Sequence, residues 1–195
     1  MSDHYRTIAA RAEHTIKIER SEFLGVAFPV ASEDAFFGEL AKIEKRFFDA
    51  THHCWAFRLF ADARARSSDA GEPSGTAGKP ILNAIEGAEL FDVAVVVVRW
   101  FGGIKLGTGG LSRAYRESAA ETLRQATFVD RYVYERVRVI VPFDALGMIY
   151  RLVNPPDVML IDEAYGEENV FTFEVRTSRV EEFRAKLGEA RLTLR

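Results

Sequence analysis

Two glycine-rich segments are the best candidates in this chain for holding an anion. Ser74, Gly75, Thr76, Ala77 and Gly78 run into Lys79, and Lys105 stands shortly before Gly107, Thr108, Gly109 and Gly110. Each segment is expected to precede a helix, whose first backbone N–H groups lack an intrahelical partner and whose dipole favours negative charge. Glycines let the backbone approach a phosphate or sulfate closely. Arg99 and Arg113 flank the second segment in sequence, and Arg64 and Arg66 precede the first, so all four are candidates to add charge. The same glycines would also serve tight turns, and spacing alone leaves both readings open.

Established nucleotide motifs fit poorly. Aligning Gly78 and Lys79 with the phosphate-binding pattern G-x-x-x-x-G-K-[ST] puts Pro73 at the first glycine and Pro80 at the metal-binding hydroxyl. Gly107-x-Gly109 has Ser112 where a dinucleotide fold needs its third glycine. His52, His53 and Cys54 suggest a metal site or a catalytic dyad, but neighbours on a strand point to opposite faces. Packing is the simpler reading. Asp69 and Glu72 are available as an acid/base pair or cation ligands, and equally as caps of a turn.

The elements that must position these residues follow from the apolar pattern. Residues 14–20 and 21–30 read as paired strands, and Ser32 caps a helix in which Phe36, Phe37, Leu40, Ile43 and Phe47 recur at helical spacing through Phe48 as a core face. Residues 51–60 alternate as a strand, with Cys54 and Ala56 on one side and Trp55 and Phe57 on the other. From there to Lys79 the glycines and prolines allow no regular element, and Pro80 suits the first turn of a helix over 81–88. Residues 91–99 are apolar on both faces, as expected of a central strand covered on both sides, and an amphipathic helix covers 111–125.

Beyond a boundary near residues 127–134 the pattern restarts as strand, helix over 144–153, strand, strand, helix over 178–187 and a short last strand. That is the βαββαβ order of a ferredoxin-like unit. The fold class expected is α+β in two domains, 1–130 and 133–195, with Asp130 and Arg131 at the exposed link.

With 195 residues and 48% apolar content the chain can bury a sizeable core, and its net charge of −3 excludes a protein that coats nucleic acid with uniform positive charge. Any RNA contact has to be local. Between residues 58 and 116, the bases Arg58, Arg64, Arg66, Lys79, Arg99, Lys105, Arg113 and Arg116 barely outnumber the acids. A single cysteine excludes an intrachain disulfide, no apolar run is long enough to cross a membrane, and the first residues lack a secretory pattern. A cytoplasmic location is expected.

SSDAGEPSGTAGKPIL and VVVVRWFGGIKLGTGGLSRAYRESAAETL resemble the two signature segments of the IMPACT family N-terminal domain, and HHCWAFRLF resembles its preceding strand. The resemblance covers about residues 14–126; Ala70 stands where an acid is common and Trp100 where Tyr is usual. It implies a split βαβ N-terminal domain like domain IV of elongation factor G, and a ferredoxin-like C-terminal domain like its domain V. It also implies structured RNA or the ribosome as partner and a role in translation or its regulation; from the residues themselves, no cofactor or metal is expected. The second hypothesis is an enzyme acting on a small phosphorylated or anionic ligand between the two segments. An enzyme needs an enclosed pocket with perturbed carboxylates, whereas an RNA platform leaves the segments on an open positive surface.

Overall fold

The computed structural model describes residues 3–190 and 192–194, and its contacts gather Tyr5–Asp130 into one compact unit. The second unit runs on from Arg131 and also takes in Asp3 and His4, which the sequence reading gives to the N-terminal domain. The division passes through both strands of a two-stranded ribbon, β1 (His4–Ile8) and β7 (Phe128–Tyr132). Asp130 and Arg131, at the link expected to be exposed, are exposed and lie within β7.

In the Tyr5–Asp130 unit, β2 (Ala12–Ile18), β3 (Ser21–Pro29), β4 (His52–Arg58), β5 (Ala65–Ser68) and β6 (Val93–Trp100) form one sheet in the order β2-β3-β6-β4-β5. Every neighbouring pair is antiparallel. Helix α1 (Glu33–Arg46) joins β3 to β4 with β6 lying between them, which makes this a split βαβ unit.

The two-sided apolarity of β6 has a direct cause. Val95 and Val97 pack with Phe23, Cys54 and Ala56 against α2 (Gly78–Gly87) and α3 (Gly107–Arg124), while Ala94, Val96 and Val98 pack with Trp55 and Phe57 against Phe36, Leu40 and Ile43 of α1. The sheet is sandwiched between helices. The Ser32 hydroxyl accepts the Ala35 N–H at 3.2 Å and caps α1. Two aromatic positions depart from the expected core face. The helix ends at Arg46, and Phe48 lies outside it with its ring in solvent. Phe37 is half-exposed against the edge of Trp55. Strand β5, ARSS, escapes the sequence reading because an exposed polar edge strand has no apolar alternation.

The second unit orders its strands β11-β8-β10-β9, all antiparallel: β8 (Tyr134–Val141), β9 (Val158–Ala164), β10 (Asn169–Arg176) and β11 (Thr193–Leu194). Val137, Val139, Phe171 and Phe173 pack on Ile149 and on Val180, Phe183 and Leu187 of α5 (Val180–Glu189). The helix expected over 144–153 shrinks to α4 (Leu146–Ile149) between two 3₁₀ turns, with the weak helix former Gly147 inside it.

Asp3 is clamped in this unit. Its carboxylate accepts Arg176 Nη2 at 2.8 Å and the Ser178 N–H at 2.9 Å, and its carbonyl accepts the Val133 N–H. The Arg176 bond, opposed by burial and helped by Ser178, holds the carboxyl well below the usual range. A group so depressed supports folding fully above its unfolded value near ~4, and the support fades as pH falls below that. Asp3→Asn should therefore destabilise this unit by about 1.5 kcal/mol at neutral pH, read as faster amide exchange in β10. The difference from wild type should shrink as pH is lowered below about 4, and a gap that stays constant into strong acid would contradict the clamp.

Candidate nucleic-acid interface

Pairing register decides which loops share an end of the sheet. His52 opposes Arg99, Trp55 opposes Ser68 and Glu22 opposes Trp100, so β4 and β3 begin where β5 and β6 finish. Both glycine-rich segments, the β2–β3 turn and the turn after α1 therefore lie at one end. Helices α2 and α3 start there and run back along the sheet.

At that end the first segment is already occupied by the chain itself. Asp69 accepts the backbone N–H groups of Gly75, Ala77 and Gly78 at 2.8, 2.9 and 2.8 Å. Burial raises its carboxyl, but the three amide bonds outweigh that and leave it below the usual range. An anion at Gly75 and Gly78 would have to displace this carboxylate. Gly78 is also a packing requirement, since a Cβ there would lie 2.7 Å from the Ser68 backbone. Thr76 is buried, donating its hydroxyl to the Pro73 carbonyl at 2.6 Å; Ser74 is exposed, and Lys79 points out 3.8 Å from Glu86.

Arg99 is likewise an interior group. It is 5% exposed, and its Nη1 lies 2.5 Å from Glu72 Oε1, which also accepts the Tyr115 hydroxyl at 2.8 Å. Arg99 Nη2 reaches Ser21 Oγ at 3.3 Å, its Nε has no partner, and its guanidinium stands 5.3 Å from the Phe23 ring. This buried pair ties the first segment to β6 and α3, so Arg99 is not free to meet a phosphate. His52 completes the cluster, with Nδ1 2.9 Å from the Ala70 carbonyl and Nε2 3.8 Å from Glu72. The Cys54 thiol donates to the Asp69 carbonyl, and burial pushes it up to about 12, which leaves it unreactive. No group of three or more His, Cys, Asp or Glu able to hold a metal occurs among the described residues.

Arg64 and Arg66 are engaged elsewhere. Arg64 pairs with Glu33 at 3.0 Å and Asp62 at 2.9 Å, and Arg66 pairs with Glu33 while lying over the Phe37 ring. Both turn towards the start of α1, across the sheet from α2 and α3.

The second segment is the open one. Gly107, Thr108, Gly109 and Gly110 form the first turn of the 18-residue α3, whose N-cap Leu106 supplies no side-chain bond and whose first turn contains no acid. The helix thus begins four residues before the expected Leu111, at a positive φ of 68° that suits Gly107. Lys105 and Arg113 form no ion pair among the described residues. They border a groove of about 460 Å³ floored by Ile18, Ile104, Leu106 and Ala114, with Glu19 and Glu117 also on its rim.

The floor is fixed by a close approach. A Cβ on Gly102 would sit 2.0 Å from the Arg20 carbonyl oxygen, and the Gly102 N–H donates to Ser21 Oγ at 3.2 Å. The loop therefore rests directly on the β2–β3 turn, where Glu19 and Arg20 both adopt positive φ.

Sequence reasoning missed the aromatic part of this end. The Phe47 ring packs edge-on against Trp100 at 5.8 Å, which leaves the residues after each, Phe48 and Phe101, 84% and 45% exposed. The signal was two adjacent aromatic pairs, of which only one member can face inward.

The family model described as the Impact N-terminal domain matches residues 19–123. The chain is 36% identical over 172 residues to the IMPACT family member YvyE of Bacillus subtilis, covering 88% of this chain and 79% of that one. It is 44% identical over 153 residues to an IMPACT family member of Thermus thermophilus, covering 78% and 82%. A solved crystal structure of a hypothetical protein superposes with a TM-score of 0.71 at 30% identity, covering 100% of this chain and 97% of its own.

Proposed function

The chain belongs to the IMPACT family, and from that premise we propose that it binds RNA phosphates at the open start of α3, as part of a role in translation or its regulation. The observation that carries the reading is an uncapped 18-residue helix whose first turn is GTGG, bordered by Lys105 and Arg113 without carboxylate partners among the described residues. Free amides, the helix dipole and two point charges near one helix start would suit one anion. Thr108, exposed in the first turn of α3, extends the surface, whereas Arg116 lies in the groove between α2 and α3 beside Phe128.

The partner is structured RNA or the ribosome, and inorganic phosphate or sulfate is the minimal ligand. The likeness to domains IV and V of elongation factor G that the signature segments imply would fit the same partner. A cytoplasmic location belongs to this reading; no helix among the described residues is long and apolar enough to cross a membrane. The enzymatic alternative is not favoured, because Asp69 serves as a cap of α2 and Glu72 holds Arg99.

Lys105→Ala with Arg113→Ala should leave stability within about 1 kcal/mol of wild type, since both charges are exposed. Binding to a ribosomal RNA hairpin, titrated at several potassium chloride concentrations, should weaken, and the salt slope should flatten by about two units. Unaltered binding in the double variant would remove α3 from the site. A wild-type affinity independent of salt would end the phosphate reading.

A further inference from the structure

The Tyr5–Asp130 unit exposes five large apolar side chains, Phe37, Phe48, Phe101, Ile104 and Phe128. Three of them stand at the same end of the sheet as the start of α3. Phe48 is presented by the turn after α1, which Trp100 fixes by packing on Phe47 and donating Nε1–H to Asp49 at 3.0 Å. Phe101 is held by its own N–H, which donates to Thr51 Oγ1 at 3.0 Å, while the Thr51 N–H donates to the Arg99 carbonyl. Ile104 belongs to the groove that Lys105 and Arg113 border. The backbones that carry the two rings are pinned; the Phe48 ring is in solvent, and the Phe101 ring is half-exposed with the Arg99 guanidinium 5.5 Å from its centroid.

Aromatic faces at the same end of the sheet as unpaired cations match the chemistry of a nucleotide whose base is free, because the ring takes the base and the cation takes the phosphate. A duplex hides its base faces in its own stack and offers only its backbone. We propose that this end of the unit selects unpaired RNA, with bases stacking on Phe48 and Phe101 while the adjoining phosphates meet Lys105, Arg113 and the α3 amides. This rests on the RNA reading above and names the kind of RNA. An apolar protein segment would use the same rings but leave both cations unanswered.

The test uses the full chain with two labelled probes of equal charge, a single-stranded oligoadenylate and a blunt-ended RNA duplex, followed by fluorescence anisotropy. Phe48→Leu with Phe101→Leu keeps apolar bulk at exposed positions, and thermal melts check that the variant folds. Wild type should bind the single strand more tightly, and the double Leu variant should lose about tenfold or more on the single strand with little change on the duplex. Equal loss on both probes, or none on the single strand while Lys105→Ala with Arg113→Ala still weakens it, overturns the stacking site and leaves phosphate binding standing. If neither double variant alters binding to either probe, both readings fall. Loss of a co-purifying protein in the Leu variant, with RNA affinity intact, would assign the rings to a protein partner and overturn the proposal.

Discussion

Glu72→Ala is expected to lower folding stability by about 3–5 kcal/mol. The substitution strands the Arg99 guanidinium inside the unit, where its Nε already has no partner, and removes the acceptor of the Tyr115 hydroxyl. Desolvating an unpaired charge costs far more than the pair contributes over an apolar substitute. Replacing both partners, Glu72→Leu with Arg99→Met, should therefore recover much of the loss. Urea denaturation followed by the fluorescence of Trp55 and Trp100 measures both variants. A loss below about 1 kcal/mol for Glu72→Ala would place the pair with exposed ones and contradict the burial seen here.

Asp69→Ala should cost about 2–4 kcal/mol, because three amides at the start of α2 lose their acceptor together. It should also create a site. With the carboxylate gone, the amides of Gly75, Ala77 and Gly78 form the anion pocket that the composition of this segment promised. Sulfate, binding only the folded variant, should raise its melting temperature well above any effect on wild type. If sulfate shifts both proteins equally, Asp69 is not what fills the pocket.

These variants also separate what the residues announced from what only three dimensions reveal. The apolar run of β6, the Ser32 cap and the alternation of Cys54, Trp55, Ala56 and Phe57 were legible because burial imposes a period that local sequence must obey. Glycine content likewise marked both segments. It did not show that Asp69 would turn back on one of them, since a side chain's target six to nine residues away depends on the path of the loop between. Arg99 follows four valines, so its depth could have been suspected, but its partner Glu72 is 27 positions away. Arg64 and Arg66 illustrate the same limit: charge is legible, while the face that carries it follows from β5, a strand with no apolar signature.

The strand order has a consequence for how the chain reaches this state. Centre-sheet pairing sets Gly25 opposite Val97 and Glu22 opposite Trp100, so β3 can complete only one of its two ladders until β6 has arrived. Closing a loop of that span forfeits chain entropy before any ladder bond repays it, and non-local pairing of this kind slows folding. During synthesis, β2 and β3 can form a hairpin early, but its outer edge stays unpaired until the VVVV run emerges. That run, the most β-prone stretch of the chain, is in turn kept from pairing with other molecules by β3 and β4 closing on either side of it.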